Sequence, residues 1–158
     1  MGADDIRIRA GVPQDLDRLK VIAARLSAFG PPPWRRGEDI VEAEVGTLRR
    51  FFAGTSRDSA LLVAESREGV ALGFVYLETL TDYFTGQKHG HIGILAVGNE
   101  AEGKGVGGRL LDASEGWARS QGYRLLTLNV FDGNRRARAV YEHLGYMPET
   151  LRYVKTLR

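Results

Sequence analysis

Apolar and polar positions alternate with two periods along the first third of the chain, and these periods predict its elements. Residues 6–9 alternate apolar and polar side chains, which is typical of a short strand. After Pro13 the apolar residues recur at helical spacing, and we expect this helix to run to about residue 28. Three consecutive prolines within residues 29–34 end it, because proline lacks a backbone donor and fixes φ. A second helix is predicted over residues 38–53.

The middle of the chain predicts three strands that lead into a glycine-rich loop. Residues 60–65 and 71–80 are strand-like runs, and the short, glycine-containing connection between them favours an antiparallel hairpin. A polar stretch follows, and residues 90–97 form the next predicted strand. Helical spacing then begins directly after the glycine-rich loop and continues to about Gln121, where Gly122 is a suitable C-terminal cap.

The last third predicts a strand over residues 125–131, a short helix over residues 134–144 and a final strand over residues 147–156. The complete order is β-α-α-β-β-β-α-β-α-β. This order indicates a mixed α/β or α+β domain, because an all-parallel sheet requires a helix between successive strands.

The glycine-rich loop reads EGKGVGG over residues 102–108. A strand, a glycine-rich turn and a helix N-terminus together form an anion site with free backbone N–H groups. Gly105 stands where a Walker A loop requires serine or threonine, and the loop lies too late in the chain for a dinucleotide fingerprint. The loop is therefore a candidate phosphate site of another kind, or a tight turn that lets strand and helix pack closely.

Composition narrows the function classes. The chain has 158 residues, of which 43% are hydrophobic, so we expect one domain spanning residues 1–158. Lys and Arg number 22 against 20 Asp and Glu, which does not indicate a nucleic-acid-binding surface. There is no cysteine, and the three histidines lack metal-site spacing, so no metal is expected. No apolar run approaches the length of a membrane span, and we expect a soluble, cytoplasmic protein.

Three local patterns together resemble the N-acetyltransferase (GNAT) family. They are Leu95-Ala96-Val97 at a strand end, the glycine-rich loop, and the sequence NRRARAVYEHLGY over residues 134–146. The resemblance covers residues 6–156. It implies a mixed, mostly antiparallel twisted sheet that is flanked by helices and whose central strands splay apart.

The resemblance implies that acetyl-coenzyme A binds along the splayed strand, with its pyrophosphate on the loop. In the family an arginine or glutamine stands where this chain has Glu102. The loop donors are backbone groups and survive the change, and we expect Lys104 or Arg109 to supply positive charge. The implied cofactor-binding residues are Leu95, Ala96, Val97, Gly103, Lys104, Gly105, Val106, Gly107, Gly108 and Asn134.

The resemblance also implies that Tyr141 protonates the departing thiolate, and the alternative is a helix aromatic that packs on the sheet. Attack on a thioester requires a neutral amine, so a proton acceptor is expected. The glutamate that many relatives carry late in the splayed strand is absent, because Gly93 and Ile94 occupy those places. His91 and Glu78 are the candidate bases. Either is also suited to a structural role, with water carrying the proton away.

We therefore expect an enzyme that transfers acetyl from acetyl-coenzyme A to a primary amine of a small molecule or peptide. A non-catalytic module that binds coenzyme A as a sensor or regulator is the alternative, because the strand glutamate is missing. The arginines at positions 135, 136 and 138 indicate a solvated helix face or a contact to the ribose phosphate. A homodimer is implied by the resemblance alone.

Overall fold

The computed structural model describes residues 2–158 and contains one five-stranded sheet with the spatial order β1-β2-β3-β4-β5. The strands are β1 (Arg7–Ala10), β2 (Ala60–Glu65), β3 (Ala71–Thr81), β4 (Lys88–Val97) and β5 (Leu126–Leu128). The helices are α1 (Leu16–Ala23), which a 3-10 turn (Ala24–Ala28) extends, α2 (Gly37–Phe52), α3 (Val106–Ser120) and α4 (Arg135–His143).

The first four strands pair antiparallel, and β5 alone pairs parallel, against β4. This arrangement confirms the predicted mixed, mostly antiparallel sheet. Short connections join β2 to β3 and β3 to β4, which favours pairing of these consecutive strands, whereas α1 and α2 lie between the paired strands β1 and β2. The parallel β4–β5 pair instead requires a crossover, which α3 provides.

The helices cover the two faces of the sheet and divide the core in two. Side chains alternate across β3, so that Phe74 faces α1 and α2 while Val75 faces α3. Both side chains are fully buried. Gly73 allows a close approach on the α3 side, because an added Cβ would lie 3.1 Å from Cγ1 of Val106. No helix of the described chain has the length and apolarity that crossing a membrane requires.

The sheet opens into a fork between β4 and β5. β4 pairs with β5 only at residues 90–92, whereas it pairs with β3 over almost its whole length, to Val97. A β-bulge at Gly93 marks the point of parting, since Tyr76 of β3 lies opposite Ile94 and the next residue, Leu77, lies opposite Ile92. The predicted splay of the central strands is thus present.

The predictions for the last part of the chain were partly wrong. The strand predicted over residues 125–131 is only three residues long, and residues 147–156 form no strand in the described structure. Met147 and Tyr153 are 87% and 88% exposed. Alternating side chains indicate an extended backbone, but a strand also needs a neighbouring edge to pair with. Within this chain the C-terminal segment (residues 147–158) has no such partner among the described strands.

The connection after α1 contacts the loop that precedes α4. Gly30 adopts a φ of +68°, and a Cβ added there would lie 2.6 Å from both the amide nitrogen of Asn134 and the carbonyl carbon of Gly133. Only glycine fits, since the backbone is left-handed and the neighbour is main chain that cannot rotate away. This contact fixes the connection between α1 and α2 against the loop between β5 and α4.

We predict that Gly30→Ala destabilises the protein by several kcal/mol, because it combines left-handed strain with a main-chain collision. Gly86→Ala is the matched control: its φ is +71°, but nothing lies within 4 Å of its added Cβ. Strain alone predicts a loss of about 1–2 kcal/mol there. Urea unfolding measures both free energies, and equal losses for the two variants would contradict the close contact.

Candidate active site

The fork exposes the backbone of β4 on the side that β5 leaves uncovered. Gly93 is exposed although it lies within a central strand whose neighbours Ile92 and Ile94 are buried. Beyond it, residues 94–97 pair with β3 on one side and with no described strand on the other. Leu95, Ala96 and Val97 therefore lie on the free arm, where the sequence placed them. Such an arm offers its main-chain groups to an extended ligand, as an unpaired strand edge does.

The glycine-rich loop lies at the end of this arm and forms an open cradle. Gly103 and Gly105 have φ values of 76° and 81°, and nothing lies within 4 Å of a Cβ added at either. α3 begins at the next residue, so helix geometry leaves the N–H groups of Val106, Gly107 and Gly108 without intrahelical acceptors. Donors at a helix N-terminus beside open space fit a diphosphate group.

Glu102, at the entrance to the loop, forms two ion pairs. Its Oε2 accepts a hydrogen bond from Nη2 of Arg25 at 2.8 Å, and its Oε1 accepts one from Nη1 of Arg136. Arg25, and then Arg136, hold the pKa of this carboxyl below its usual value. Arg109, which the sequence suggested as a source of positive charge, instead donates to the Ile6 carbonyl oxygen at 2.9 Å. Lys104 lies within the loop itself and stays a predicted source of charge, and Arg25 and Arg136 add two further cations beside the loop.

α4 carries two of the residues that the sequence singled out. Asn134 caps this helix, since its Oδ1 accepts a hydrogen bond from the N–H of Ala137 at 3.2 Å. Tyr141 is half-buried against the core under α3, to which Leu95 also packs. Its ring meets that of Tyr146 edge-on at 5.8 Å, and burial raises the pKa of its hydroxyl. Tyr141 is therefore protonated at neutral pH.

The two candidate bases lie directly opposite each other on β3 and β4. Oε1 of Glu78 lies 3.6 Å from the position that a Cβ on Gly93 would take, and burial raises the pKa of Glu78. His91 is only 7% exposed, and its Nδ1 forms a 2.7 Å hydrogen bond with Oγ1 of Thr127 on β5. Burial, with a contribution from His89, lowers the pKa of His91 and keeps it neutral.

Sequence reasoning missed a second acidic residue, Glu44 of α2, whose pKa the charge of Glu78 influences. Burial and the nearby charge of Glu78 raise the pKa of Glu44 to about 7. One feature of the sequence indicates the placement: Glu44 precedes Phe51 by two helical turns, so both lie on one side of α2. The Phe51 ring packs edge-on against Tyr76 at 6.1 Å, and Tyr76 in turn borders Gly93.

Comparison with known proteins adds independent evidence. The model of the acetyltransferase (GNAT) family matches residues 24–146. The uncharacterized N-acetyltransferase YhfO of Bacillus subtilis (strain 168) is 32% identical over 117 residues, which are 74% of this chain and 76% of that protein. A mycothiol acetyltransferase of Propionibacterium freudenreichii is 34% identical over 132 residues, or 84% of this chain. This chain matches only 40% of that longer protein.

Solved structures share the fold. A putative acetyl transferase from Pyrococcus furiosus superposes with a TM-score of 0.77 and 25% identity, over 96% of this chain and 99% of that one. The glycine cradle, the forked sheet and the α4 tyrosine all fall within the part of the chain that the family model covers. The chain belongs to the acetyltransferase (GNAT) family and is an acyltransferase.

Proposed function

We propose that this protein transfers the acetyl group of acetyl-coenzyme A to a primary amine. The fork carries the proposal: the glycine cradle lies at the end of the free arm of β4, and Glu78 borders the exposed Gly93 on the same arm. A thioester lying along the arm would have its phosphates on the cradle and its reactive end near Gly93. The family's use of acetyl-coenzyme A supports the donor.

On the acceptor side we assign the base to Glu78. A protonated amine must lose a proton before it attacks, and a carboxylate whose pKa is raised by burial is a stronger proton acceptor than an ordinary one. Glu78 borders the same space that a side chain on Gly93 would enter, so it supplies from β3 what β4 lacks. His91 is less suited, because it is buried and its Nδ1 is bonded to Thr127.

The position of Glu44 supports a cationic acceptor. The carboxylates of Glu44 and Glu78 repel each other in a half-buried site. Either one proton on the pair or one bound ammonium group relieves this repulsion. An amine with a pKa near 10 arrives as an ammonium ion at neutral pH and is attracted by this pair. Its proton then passes to Glu78.

On the donor side we assign the acid to Tyr141. The amine nitrogen attacks the acetyl carbonyl carbon, the new C–N bond forms, and the C–S bond breaks with its electron pair on sulfur. The phenol of Tyr141, which its raised pKa keeps protonated, gives its proton to that sulfur, and the second proton that the nitrogen loses as the amide forms returns to the Tyr141 phenolate. Burial of the coenzyme A sulfur beside Tyr141 would also raise the pKa of its thiol, which would favour the transfer.

We predict that Tyr141→Phe lowers kcat about 100-fold, because the thiolate then leaves without a proton donor. Tyr146→Phe is the matched control, since its ring packs against Tyr141 but its hydroxyl donates to Glu115. Thiol release with a panel of amines measures kcat, and calorimetric titration with coenzyme A measures binding.

Two outcomes would count against the assignments. Equal rates for the two phenylalanine variants would assign Tyr141 to packing alone. Tight binding of acetyl-coenzyme A with no amine-dependent thiol release across a broad panel would favour the non-catalytic sensor.

We predict that Glu78→Gln lowers kcat/KM about 100-fold. In the wild type, protonation of Glu78 should lower kcat/KM at acidic pH, and this acidic limb of the pH profile should be absent in the variant. Glu44→Gln should keep that limb in place, because burial raises the pKa of Glu78 and Glu44 is itself mostly protonated on the acidic side of its pKa of about 7. Both profiles are measured with one amine, so its own titration is common to them. An unchanged profile in Glu78→Gln would transfer the role to His91 or to water.

The exposed C-terminal segment supports a homodimer. Its side chains Met147, Leu151, Tyr153 and Leu157 are between 74% and 88% exposed, and β5 leaves one strand edge without a described partner. An extended apolar segment and a free strand edge in one chain are complementary between two copies related by a twofold axis. We infer that each copy lends this segment to its partner's β5 edge.

We predict that the protein has twice the chain mass of 17.4 kDa in light scattering. Tyr153→Glu should shift it towards the monomer, because a charge replaces an apolar contact in the interface. Arg152→Glu, on the opposite side of an extended chain, is the matched control. A monomeric wild type at every accessible concentration would contradict the dimer.

A further inference from the structure

Glu102 is the centre of an ion-pair network of three residues, which lies at the entrance to the proposed cofactor cleft. Arg25 comes from the 3-10 turn after α1, Arg136 from the first turn of α4, and Glu102 from the loop before α3. Arg25 also donates through Nη1 to the Val97 carbonyl oxygen at 2.5 Å, and its guanidinium lies over the Phe29 ring at 5.4 Å. The cluster therefore touches the last residue of the free β4 arm.

The charges of this cluster suit a polyanion. Two guanidinium groups surround one carboxylate, which leaves a net charge of one positive unit beside the N–H groups of the α3 N-terminus. A carboxylate and a phosphate bind guanidinium in the same bidentate manner, so they compete for it. A diphosphate carries more charge than Glu102. It would also meet Glu102 as a like charge at close range.

We propose that Glu102 is an internal competitor for the coenzyme A phosphates: it holds Arg25 and Arg136 in the free protein and yields them when the nucleotide part binds. This inference rests on the proposed function, because it requires the glycine cradle to bind acetyl-coenzyme A. It assigns phosphate contacts to Arg25 and Arg136 and opposes the simpler reading that an acid at position 102 only weakens the site. The ion pair also ties α4 to the 3-10 turn until the ligand arrives.

The test compares Glu102→Gln with Glu100→Gln. Glu100 is the matched control, because it lies two residues away and pairs with Arg18 instead. In calorimetric titration with acetyl-coenzyme A, Glu102→Gln should bind about 5 to 10 times more tightly than the wild type, whereas Glu100→Gln should not. With S-acetylpantetheine, which has no phosphate, the variants should bind equally.

A double-mutant cycle identifies the partner. Arg136→Gln should weaken binding of acetyl-coenzyme A more in the Glu102→Gln background than in the wild type, because the arginine is then free to contact phosphate from the start. Equal losses in the two backgrounds would show that Glu102 does not compete with the phosphates for Arg136.

A second readout needs no ligand. Amide hydrogen exchange of α4 should become faster in free Glu102→Gln than in free Glu100→Gln, because the tie from α4 to Arg25 is lost. Binding by the wild type with no gain in Glu102→Gln, or unchanged exchange in α4, would overturn this inference alone. Absence of acetyl-coenzyme A binding in every protein would overturn the proposed function together with it.

Discussion

The end of pairing between β4 and β5 is the constraint on which the other features of the site depend. Parallel pairing holds residues 90–92 against β5, and the hydrogen bond between His91 and Thr127 links the two strands one residue before pairing ends. Above that point the bulge at Gly93 increases the local twist and directs the arm away. A strand that continued to pair would have no free backbone for a ligand. The gap between β4 and β5 therefore arises from where their pairing ends and not from the shape of a loop.

The missing side chain at Gly93 has a physical reason in its neighbours. A Cβ there would lie 3.0 Å from Cδ1 of Tyr76, so the strand lacks room for a glutamate unless that ring moves. Tyr76 is itself held by Phe51 of α2. The aromatic packing that fixes α2 on the sheet also brings Glu44 near Glu78. Packing and charge placement in this region therefore have the same origin.

Much of the fold was predictable because it is encoded locally. The spacing of hydrophobic residues predicted α1, α2, β2, β3, β4 and α3 close to their observed bounds. The three prolines and the glycine-rich loop marked where these elements end or begin. The C-terminal strand failed because its alternation says nothing about a pairing partner. Gly103 and Gly105 adopt left-handed backbone, which suits glycine, and their role in phosphate binding stays a prediction.

The charged environment was not predictable, because it depends on residues far apart in sequence. Arg25 reaches Glu102 across 77 positions, and the influence of Glu78 on Glu44 crosses from the sheet to α2. Sequence spacing could propose Glu78 and His91 as candidates on adjoining strands. Spacing could not show that Glu78 borders the exposed Gly93, while His91 is buried against β5.

The contact between Gly30 and the loop at Gly133 has a thermodynamic consequence for a two-substrate enzyme. The connection that carries Gly30 precedes α2, on the side of the acidic pair, and the loop at Gly133 leads into α4, on the side of the tyrosine. With main chain against main chain, neither segment can shift without the other. Any ligand that moves one of them therefore changes the affinity of the other side for its own ligand, and by linkage the change is equal in both directions. Cooperativity between donor and acceptor would then depend on the contact between these two glycine-containing segments.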